Sequence, residues 1–254
     1  MSRVVCGLQP VREAIRAHGA ALLRVLVEDA KDAPQLEALA RFAGDAGAKV
    51  ERVRRGELDK LSGGARHQGA LVLAPELTVV ELDELTFTPT SLVVVLDELN
   101  DPQNFGAIIR SAVALGATAI VWPEHRSAPL SPATFRASAG AVEHAVLCRV
   151  PALPDALSKL HAAGLTVIGL DASADRPLYE HPLTGPIALV VGAEDKGLRR
   201  PVKAACDVLA RLPMNGPIAS LNASVALAIA LYETARQRAA SPADAPPGAP
   251  SPSK

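Results

Sequence analysis

Aromatic residues are scarce in this sequence, which has four Phe, two Tyr and one Trp among its 254 residues. Many RNA-binding domains stack unpaired bases on rings exposed on a sheet. A content of only 3% aromatic residues disfavours that mode of recognition. Any contact with RNA would therefore have to use molecular shape, backbone amides and arginines.

The sequence also lacks an excess of charge of one sign, because 26 Lys and Arg face 27 Asp and Glu and the formal net charge is −1. A globally basic nucleic-acid binder is not indicated. Local basic residues do lie in or beside predicted loops of the N-terminal region. They form either an ordinary solvated face or an edge that contacts RNA, and they are Arg52, Arg54, Arg55, Lys60 and Arg66.

Cysteine is rare, and long apolar runs are missing. Cys6, Cys148 and Cys206 form no CxxC or Cys/His cluster, which argues against a disulfide framework and a zinc site and fits a reducing compartment. The first residues do not resemble a signal peptide, and no run approaches the roughly 18 apolar residues of a membrane span. We therefore expect a soluble, cytoplasmic protein without a metal ion.

The N-terminal region alternates between helical and extended patterns, which predicts a compact α/β domain over residues 1–76. Residues 77–90 are acidic and threonine-rich with a proline near the end, and this composition predicts an interdomain linker. The predicted helices of the first domain cover 10–18, 34–47 and about 57–61, and its strands cover 22–28, 48–53 and 67–75.

A second α/β domain is predicted over residues 91–239. Runs of Val, Ile and Leu there are typical of strands buried on both faces of a parallel sheet. The five runs are SLVVVLDEL, TAIVW, LTVIGL, IALVVG and DVLARLP, and helical patterns cover 102–115, 132–142, 153–163, 199–205 and about 221–238. Residues 240–254, rich in Pro, Ala and Ser, are predicted to be a disordered tail.

The first segment that could bind a ligand or take part in catalysis follows the first buried strand. Asp101-Pro102 is a typical helix start, with an N-cap followed by Pro at the first helical position. Asn104 then lies just beyond the carboxyl end of the strand, where open α/β sheets bind ligands. Gly106 lies one turn before Arg110 and would leave space beside its guanidinium. The alternative is a surface arginine with a tolerated helix glycine.

The second segment, IALVVGAEDKGLRR, runs from a buried strand into Gly192 and Glu194. Small residues at such a turn let a ligand reach the backbone, and Glu194 adds a carboxylate at the strand exit. The segment is neither GxGxxG nor a P-loop, so dinucleotide and nucleoside-triphosphate sites are disfavoured. An ordinary strand–turn–helix connection remains the alternative.

The third segment, RLPMNGPIASLNASVALAIALYETARQR, passes from a Pro- and Gly-containing loop into an apolar helix. Ser220 is the candidate N-cap. Capping by Ser220 does not explain Asn222 and Ser224 in the first turns, where they would compete with the backbone. The alanine-rich body of the helix allows close packing within the chain or across a dimer.

Together, the three segments resemble the signature motifs of the SpoU, or TrmH-like, ribose methyltransferases of the SPOUT superfamily. The matching stretches are NFGAIIRSA, LVVGAEDKGL and LPMNGPIASLNASVA. VCGLQPVREAIRAH and HQGALVLA are similar to the small substrate-binding domain that precedes the catalytic domain in some members. RSAPLSPATFRASAGAVEHAVLCRV resembles a stretch of the members that modify ribosomal RNA.

The resemblance implies a C-terminal parallel-sheet α/β domain with a deep trefoil knot, which periodicity alone would not indicate. It also implies a homodimer that binds S-adenosylmethionine and methylates a ribose 2′-hydroxyl in RNA. The implied target is a guanosine in the peptidyl-transferase P loop of 23S rRNA. A tRNA ribose 2′-O-methyltransferase and a non-catalytic rRNA-binding assembly protein remain the alternatives.

Residue by residue, the resemblance assigns five positions to catalysis and RNA contact and three to the cofactor. A guanidinium stays protonated in proteins, so a general-base role suits Arg110 poorly. We expect it instead to bind the flanking phosphate and orient the hydroxyl. The catalytic positions are Asn104, Arg110, Glu194, Ser220 and Asn222, and the cofactor positions are Gly192, Leu212 and Leu221.

Overall fold

Residues 2–75 fold around a four-stranded sheet with the order β1-β4-β2-β3 in the computed structural model, which describes residues 2–194, 196–217 and 220–240. Strands β1 and β2 run antiparallel to β4, and β3 runs parallel to β2. The strands are β1 (Ser2–Cys6), β2 (Arg24–Glu28), β3 (Val50–Val53) and β4 (Ala70–Pro75), and the helices are α1 (Leu8–His18), α2 (Pro34–Asp45) and α3 (Arg55–Ser62).

Strand β1 was not predicted. It is an edge strand in which only Val5 is buried, so its sequence carries no alternating or continuous apolar signal. Pairing with β4 over its whole length defines it instead.

The second α/β unit contains a seven-stranded sheet in which every pair of neighbours is parallel, with the order β11-β9-β10-β6-β7-β8-β5. The predicted parallel sheet is thus confirmed. Its strands are β5 (Val79–Val80), β6 (Leu92–Leu96), β7 (Ala119–Pro123), β8 (Leu147–Val150), β9 (Thr166–Leu170), β10 (Ile187–Val191) and β11 (Val208–Ala210), and its helices are α4 (Pro102–Ala114), α5 (Pro132–Ala137), α6 (Leu153–Ala162), α7 (Arg200–Ala204) and α8 (Ala223–Ala240).

The central strands β6, β7 and β10 are buried at every position. Alternate residues of β6 point to opposite layers: Val94 packs in the core formed with α4 and α8, whereas Val93 and Val95 pack in the core with α6 and α7. This double coverage explains why these strands have continuous apolar sequences.

Two strands of this sheet, β5 and β8, lie outside the five predicted runs. Strand β8 has the sequence LCRV, in which Arg149 is exposed, so it lacks a continuous apolar run. Strand β5 lies inside the segment 77–90 that was expected to be a linker, and its two residues pair with Leu147 and Cys148. The segment thus adds a short edge strand to the sheet.

Every predicted helix except α5 begins and ends within two residues of its predicted bounds. Helix α5 ends at Ala137 rather than 142, because Ala139 and Gly140 adopt positive φ angles of 50° and 90° and the chain continues as a 3-10 turn over Ala141–His144. Helix α8 extends to Ala240. The remaining residues of the predicted disordered tail lie outside the described ranges.

Gly106 faces helix α5, which corrects the expectation that it leaves space for Arg110. A Cβ atom at this position would overlap the Thr134 carbonyl oxygen and lie 2.5 Å from the Ala137 Cβ. The glycine therefore allows the backbones of α4 and α5 to approach closely.

The order of the strands places β6 beside β10 at the centre of the sheet. From β6 the chain moves outward through β7 and β8, then crosses to β9 and β10 on the other side. Such a switch point opens a crevice at the carboxyl ends of the strands, where ligands of α/β proteins bind. Within the described part of the chain, no helix is long and apolar enough to cross a membrane.

Candidate active site

A cavity of about 420 Å³ lies at the carboxyl ends of β9 and β10. This volume falls within the range of roughly 300–1,000 Å³ that is usual for small-molecule sites. Its walls come from the turn after β9, the loop after β10 and the segment between β11 and α8, together with residues of α7 and α8. Among the residues that line it are Gly192, Glu194, Leu212, Ser220 and Leu221, five of the eight positions singled out in the sequence.

Beside the cavity, the side chains of Asn104, Glu194 and Asn222 form a closed hydrogen-bonded group, called here the amide–carboxylate trio. Asn104 Nδ2 donates to Glu194 Oε1 at 2.7 Å, and Asn222 Nδ2 donates to Asn104 Oδ1 at 2.9 Å. Asn222 Nδ2 also donates to Glu194 Oε1. Because an ionised carboxylate only accepts hydrogen bonds, Glu194 fixes which way both amides point.

Helix caps position two members of the trio. The Asp101 carboxylate accepts hydrogen bonds from the backbone amides of Gln103 and Asn104, at 3.0 and 3.2 Å, and so holds Asn104 in the first turn of α4. Asn222 Oδ1 accepts from the Ser224 backbone amide at 2.9 Å and caps α8. The expectation that Ser220 is the cap is therefore wrong.

Asn222 takes the cap because its side chain serves both functions at once: the carbonyl oxygen caps the helix while the amide nitrogen reaches the trio. Ser224 lies in the first turn of α8, and its hydroxyl donates a hydrogen bond to the same Asn222 oxygen at 2.6 Å. This contact accounts for a polar residue at that position. Ser220 lies two residues before the cap, is exposed and faces the cavity.

The loop after β10 folds back on itself so closely that only glycine fits at position 192. A Cβ atom there would overlap the carbonyl group of Gly197 and lie 2.5 Å from the backbone nitrogen of Leu198. The Gly197 amide donates to the Ala193 carbonyl at 2.8 Å, and Gly197 has a φ of 62°. This turn forms a backbone-lined wall of the cavity.

A buried ion pair anchors the end of the same loop. Asp97, which is fully buried at the exit of β6, accepts from the backbone amide of Arg199 at 2.8 Å and from its Nε at 2.7 Å. The pair joins the start of α7 to the central strand. Since charged groups buried without a partner are costly, it holds the cavity loop in one position.

Arg110 is the one predicted catalytic residue that neither belongs to the trio nor lines the cavity. It lies on α4 six positions beyond Asn104 and is exposed to solvent. Among the residues that the structure describes, its guanidinium makes no hydrogen bond or ion pair.

The sequence interpretation missed four polar residues that line the cavity: Asp171, Ser173, Lys196 and Lys203. Asp171 pairs with Lys203 and accepts from the Ser173 backbone amide at 2.9 Å. Burial acts to raise the pKa of Asp171, but the hydrogen bonds from Lys203 and Ser173 outweigh it and hold the pKa below its ordinary value. Asp171 follows β9 directly, so the rule that selected Asn104 and Glu194 could have found it.

Within the described ranges, neither Cys148 nor Cys206 is a reactive thiol, and no metal-binding group is found. Burial raises the pKa of Cys148 to about 11 and that of Cys206 to about 12, so both thiols stay protonated at neutral pH and are poor nucleophiles. No group of three or more His, Cys, Asp or Glu side chains is arranged there to hold a metal ion.

Two family models match the chain. The model described as the SpoU rRNA Methylase family covers residues 91–232, and the model described as RNA 2′-O ribose methyltransferase substrate binding covers residues 4–79. The first contains the seven-stranded sheet except β5, and the second contains the four-stranded sheet except the first two residues of β1.

Individual relatives cover nearly the whole chain. The 23S rRNA (guanosine-2′-O-)-methyltransferase RlmB of Pseudomonas putida is 38% identical over 240 residues, which are 92% of this chain and 96% of that protein. An uncharacterized tRNA/rRNA methyltransferase of Mycobacterium sp. is 40% identical over 93% of this chain and 77% of its own length. The SpoU methyltransferase AviRb of Streptomyces viridochromogenes, solved in complex with AdoMet, superposes with a TM-score of 0.76 at 27% identity, covering 94% of this chain and 91% of that one. The chain is therefore a member of the SpoU rRNA methylase family.

Proposed function

We propose that this protein transfers a methyl group from S-adenosylmethionine to the ribose 2′-hydroxyl of a guanosine in 23S rRNA, in the peptidyl-transferase P loop. The observation that carries the proposal is the amide–carboxylate trio, which lies at the switch point between β6 and β10 and beside a ligand-sized cavity. The similarity to RlmB over nearly the full length of both chains supports guanosine and 23S rRNA as the target. The same substrate supports a cytoplasmic location.

The cavity fits the proposed cofactor. Gly192 and Gly197, which have no side chain, form part of its wall, so a flat or polar ligand can meet peptide groups directly. Leu212 and Leu221 provide apolar surface, and Asp171 provides a carboxylate that stays ionised. These residues would hold the cofactor, which supplies an electrophilic methyl group when bound.

The trio then orients the nucleophile. A 2′-hydroxyl holds its proton tightly at neutral pH, so the protein must fix the oxygen in line with the methyl group before attack. Alignment of this kind contributes up to roughly 7–11 kcal/mol to rate enhancement. Asn104 and Asn222 offer amide groups whose direction Glu194 fixes, and the exposed residue Ser220 lines the cavity.

Arg110 would bind the phosphate that flanks the target ribose. Its guanidinium is exposed, and within the described ranges nothing else engages it, so it is available to a ligand. Arg110→Lys keeps the charge but loses the planar fork that binds phosphate in two places. We expect kcat/KM for RNA to fall by about 10- to 100-fold, with cofactor affinity unchanged, in methylation assays and calorimetry. Near-normal turnover in this variant would contradict the role.

The function itself is tested by mapping ribose methylation in RNA from a strain that lacks the protein. We expect one guanosine of 23S rRNA to lose its methyl group and to regain it on complementation, and the purified protein to bind S-adenosylmethionine in calorimetry. Loss of a methyl group from tRNA instead would favour the tRNA methyltransferase alternative. Absence of cofactor binding would favour a non-catalytic RNA-binding protein.

We further propose that the protein is a homodimer and that its chain forms the family's trefoil knot. One face of α8 supports the dimer, because Val225, Ile229 and Tyr232 are 46%, 43% and 63% exposed and border one shallow groove with Ser111. Apolar side chains grouped in this way usually mark an interaction surface, and two-fold dimers bury the same patch on both copies. Sedimentation equilibrium that gave the mass of a single chain would contradict the dimer.

A further inference from the structure

The two α/β units contact each other through a compact group of charges. Glu143, whose side chain is 1% exposed, accepts from Arg3 Nη1 at 2.8 Å and lies 2.9 Å from His18 Nε2. On the same edge, His144 Nε2 lies 3.0 Å from the Glu13 carboxylate. These contacts fix the N-terminal domain against the turn that follows α5.

A second cavity, of about 240 Å³, opens next to this contact and is called here the interdomain cleft. Strand β1 and the loop after α3 form one side, and α5 forms the other. Its walls are largely apolar, and they include Val5, Pro10, Ala65, Pro132, Phe135 and Val142. The proposed cofactor cavity shares none of its lining residues.

Two exposed arginines lie in the wall of the interdomain cleft or next to it in the sequence. Arg136 lines it, is exposed, and has no hydrogen bond or ion pair with any described residue. Arg136 also lies near Cys6, since it offsets part of the rise that burial causes in the pKa of that thiol. Arg66, likewise exposed, directly follows Ala65. An apolar slot with cations at its rim matches an aromatic ligand that carries negative charge.

Helices α4 and α5 connect the cleft to the trio. Helix α5, which carries Phe135 and Arg136, packs against Gly106, two positions after Asn104 on α4. The side of the cleft opposite α5 belongs to the domain matched by the substrate-binding family model. The helix that forms one wall of the cleft is thus in direct contact with the helix that carries Asn104.

We propose that the interdomain cleft receives one unpaired nucleobase of the RNA substrate, near the nucleotide that is methylated. The inference rests on the proposed function. Proteins read single-stranded RNA by inserting unstacked bases between apolar and aromatic side chains while cations bind the phosphates. Phe135 and the prolines contact the faces of the base, and Arg136 and Arg66 bind the adjoining phosphates.

The test uses the full-length protein and an RNA hairpin that copies the proposed 23S rRNA target. Ala65→Phe fills the cleft, and Ala65→Ser is its matched control because the side chain stays small. Loss of base insertion should weaken hairpin binding by about ten-fold or more in Ala65→Phe, with wild-type affinity in Ala65→Ser. Affinity for S-adenosylmethionine, measured by calorimetry, should stay at the wild-type value in both.

Arg136→Ala provides a second variant that removes no packing from the core. This variant should bind the RNA hairpin more weakly than the wild type. The slope of the logarithm of its binding constant against the logarithm of the salt concentration should decrease in magnitude by about one, which is expected for the loss of one phosphate contact. Arg149→Ala, which removes an equally exposed charge from strand β8, should leave the slope unchanged.

Wild-type affinity and slope in both Ala65→Phe and Arg136→Ala would overturn the cleft proposal while leaving the proposed function intact. Failure of the wild-type protein to methylate 23S rRNA would instead contradict the proposed function. The two proposals are therefore contradicted by different results.

Discussion

Gly192→Ala is expected to weaken the binding of S-adenosylmethionine by about 100-fold and to reduce methyl transfer in proportion. The added methyl group would overlap the Gly197 carbonyl, and a backbone group cannot rotate away as a side chain can. The turn from Ala193 to Gly197 would have to open, which removes the wall that we propose the cofactor contacts. Calorimetric titration with the cofactor measures the effect.

Gly185→Ala is the matched control for this variant. It lies just before β10 in the same domain, and a Cβ there would meet nothing within 4 Å. Cofactor affinity should remain at the wild-type value. If Gly192→Ala bound the cofactor as tightly as Gly185→Ala does, the loop after β10 would not be the cofactor wall.

Asn222→Asp is expected to reduce kcat by about 100-fold or more while the protein remains folded. Aspartate caps a helix as well as asparagine does, so the start of α8 should keep its stability. The trio, however, loses the amide that donates to Asn104 and Glu194, and a carboxylate comes to face Glu194. Lost hydrogen bonds to a charged group cost about 1.5–3 kcal/mol, and like charges add to this.

Single-turnover kinetics and thermal unfolding together separate the two functions of Asn222. The expected result is a slow chemical step with a melting temperature near that of the wild type. Asn222→Ala serves for comparison, because it should lose both the cap and the trio and so be less stable as well as slow. A normal kcat in the Asn222→Asp variant would show that the reaction does not depend on the trio.

The sequence predicted those parts of the fold where one local signal sufficed. Strands β6 and β10 are uniformly apolar because helices cover both faces, and Asp101-Pro102 marked the start of α4 through cap geometry. Strands β1 and β8 escaped prediction because exposed residues such as Arg149 interrupt their apolar pattern. Edge and near-edge strands depend on their partners more than on their own composition.

Parts of the candidate site were out of reach of sequence reasoning for a related reason. The rule that ligands bind at the carboxyl ends of parallel strands selected Asn104 and Glu194, and it could have selected Asp171. It could not show that Gly106 meets α5 rather than Arg110, or that Asn222 rather than Ser220 caps α8. Those outcomes depend on which segments meet after the chain has folded, and spacing along one helix does not contain that information.

The trio joins positions that are far apart along the chain: Asn222 reaches Asn104 across 118 residues and Glu194 across 28. Contacts of such long range form late, because the intervening loop must close before they contribute. A chain that ends before α8 lacks Asn222 and therefore cannot form the trio. If the trio orients the 2′-hydroxyl as proposed, methyl transfer requires a chain that extends into α8, and a translation product interrupted before α8 would be unable to modify RNA.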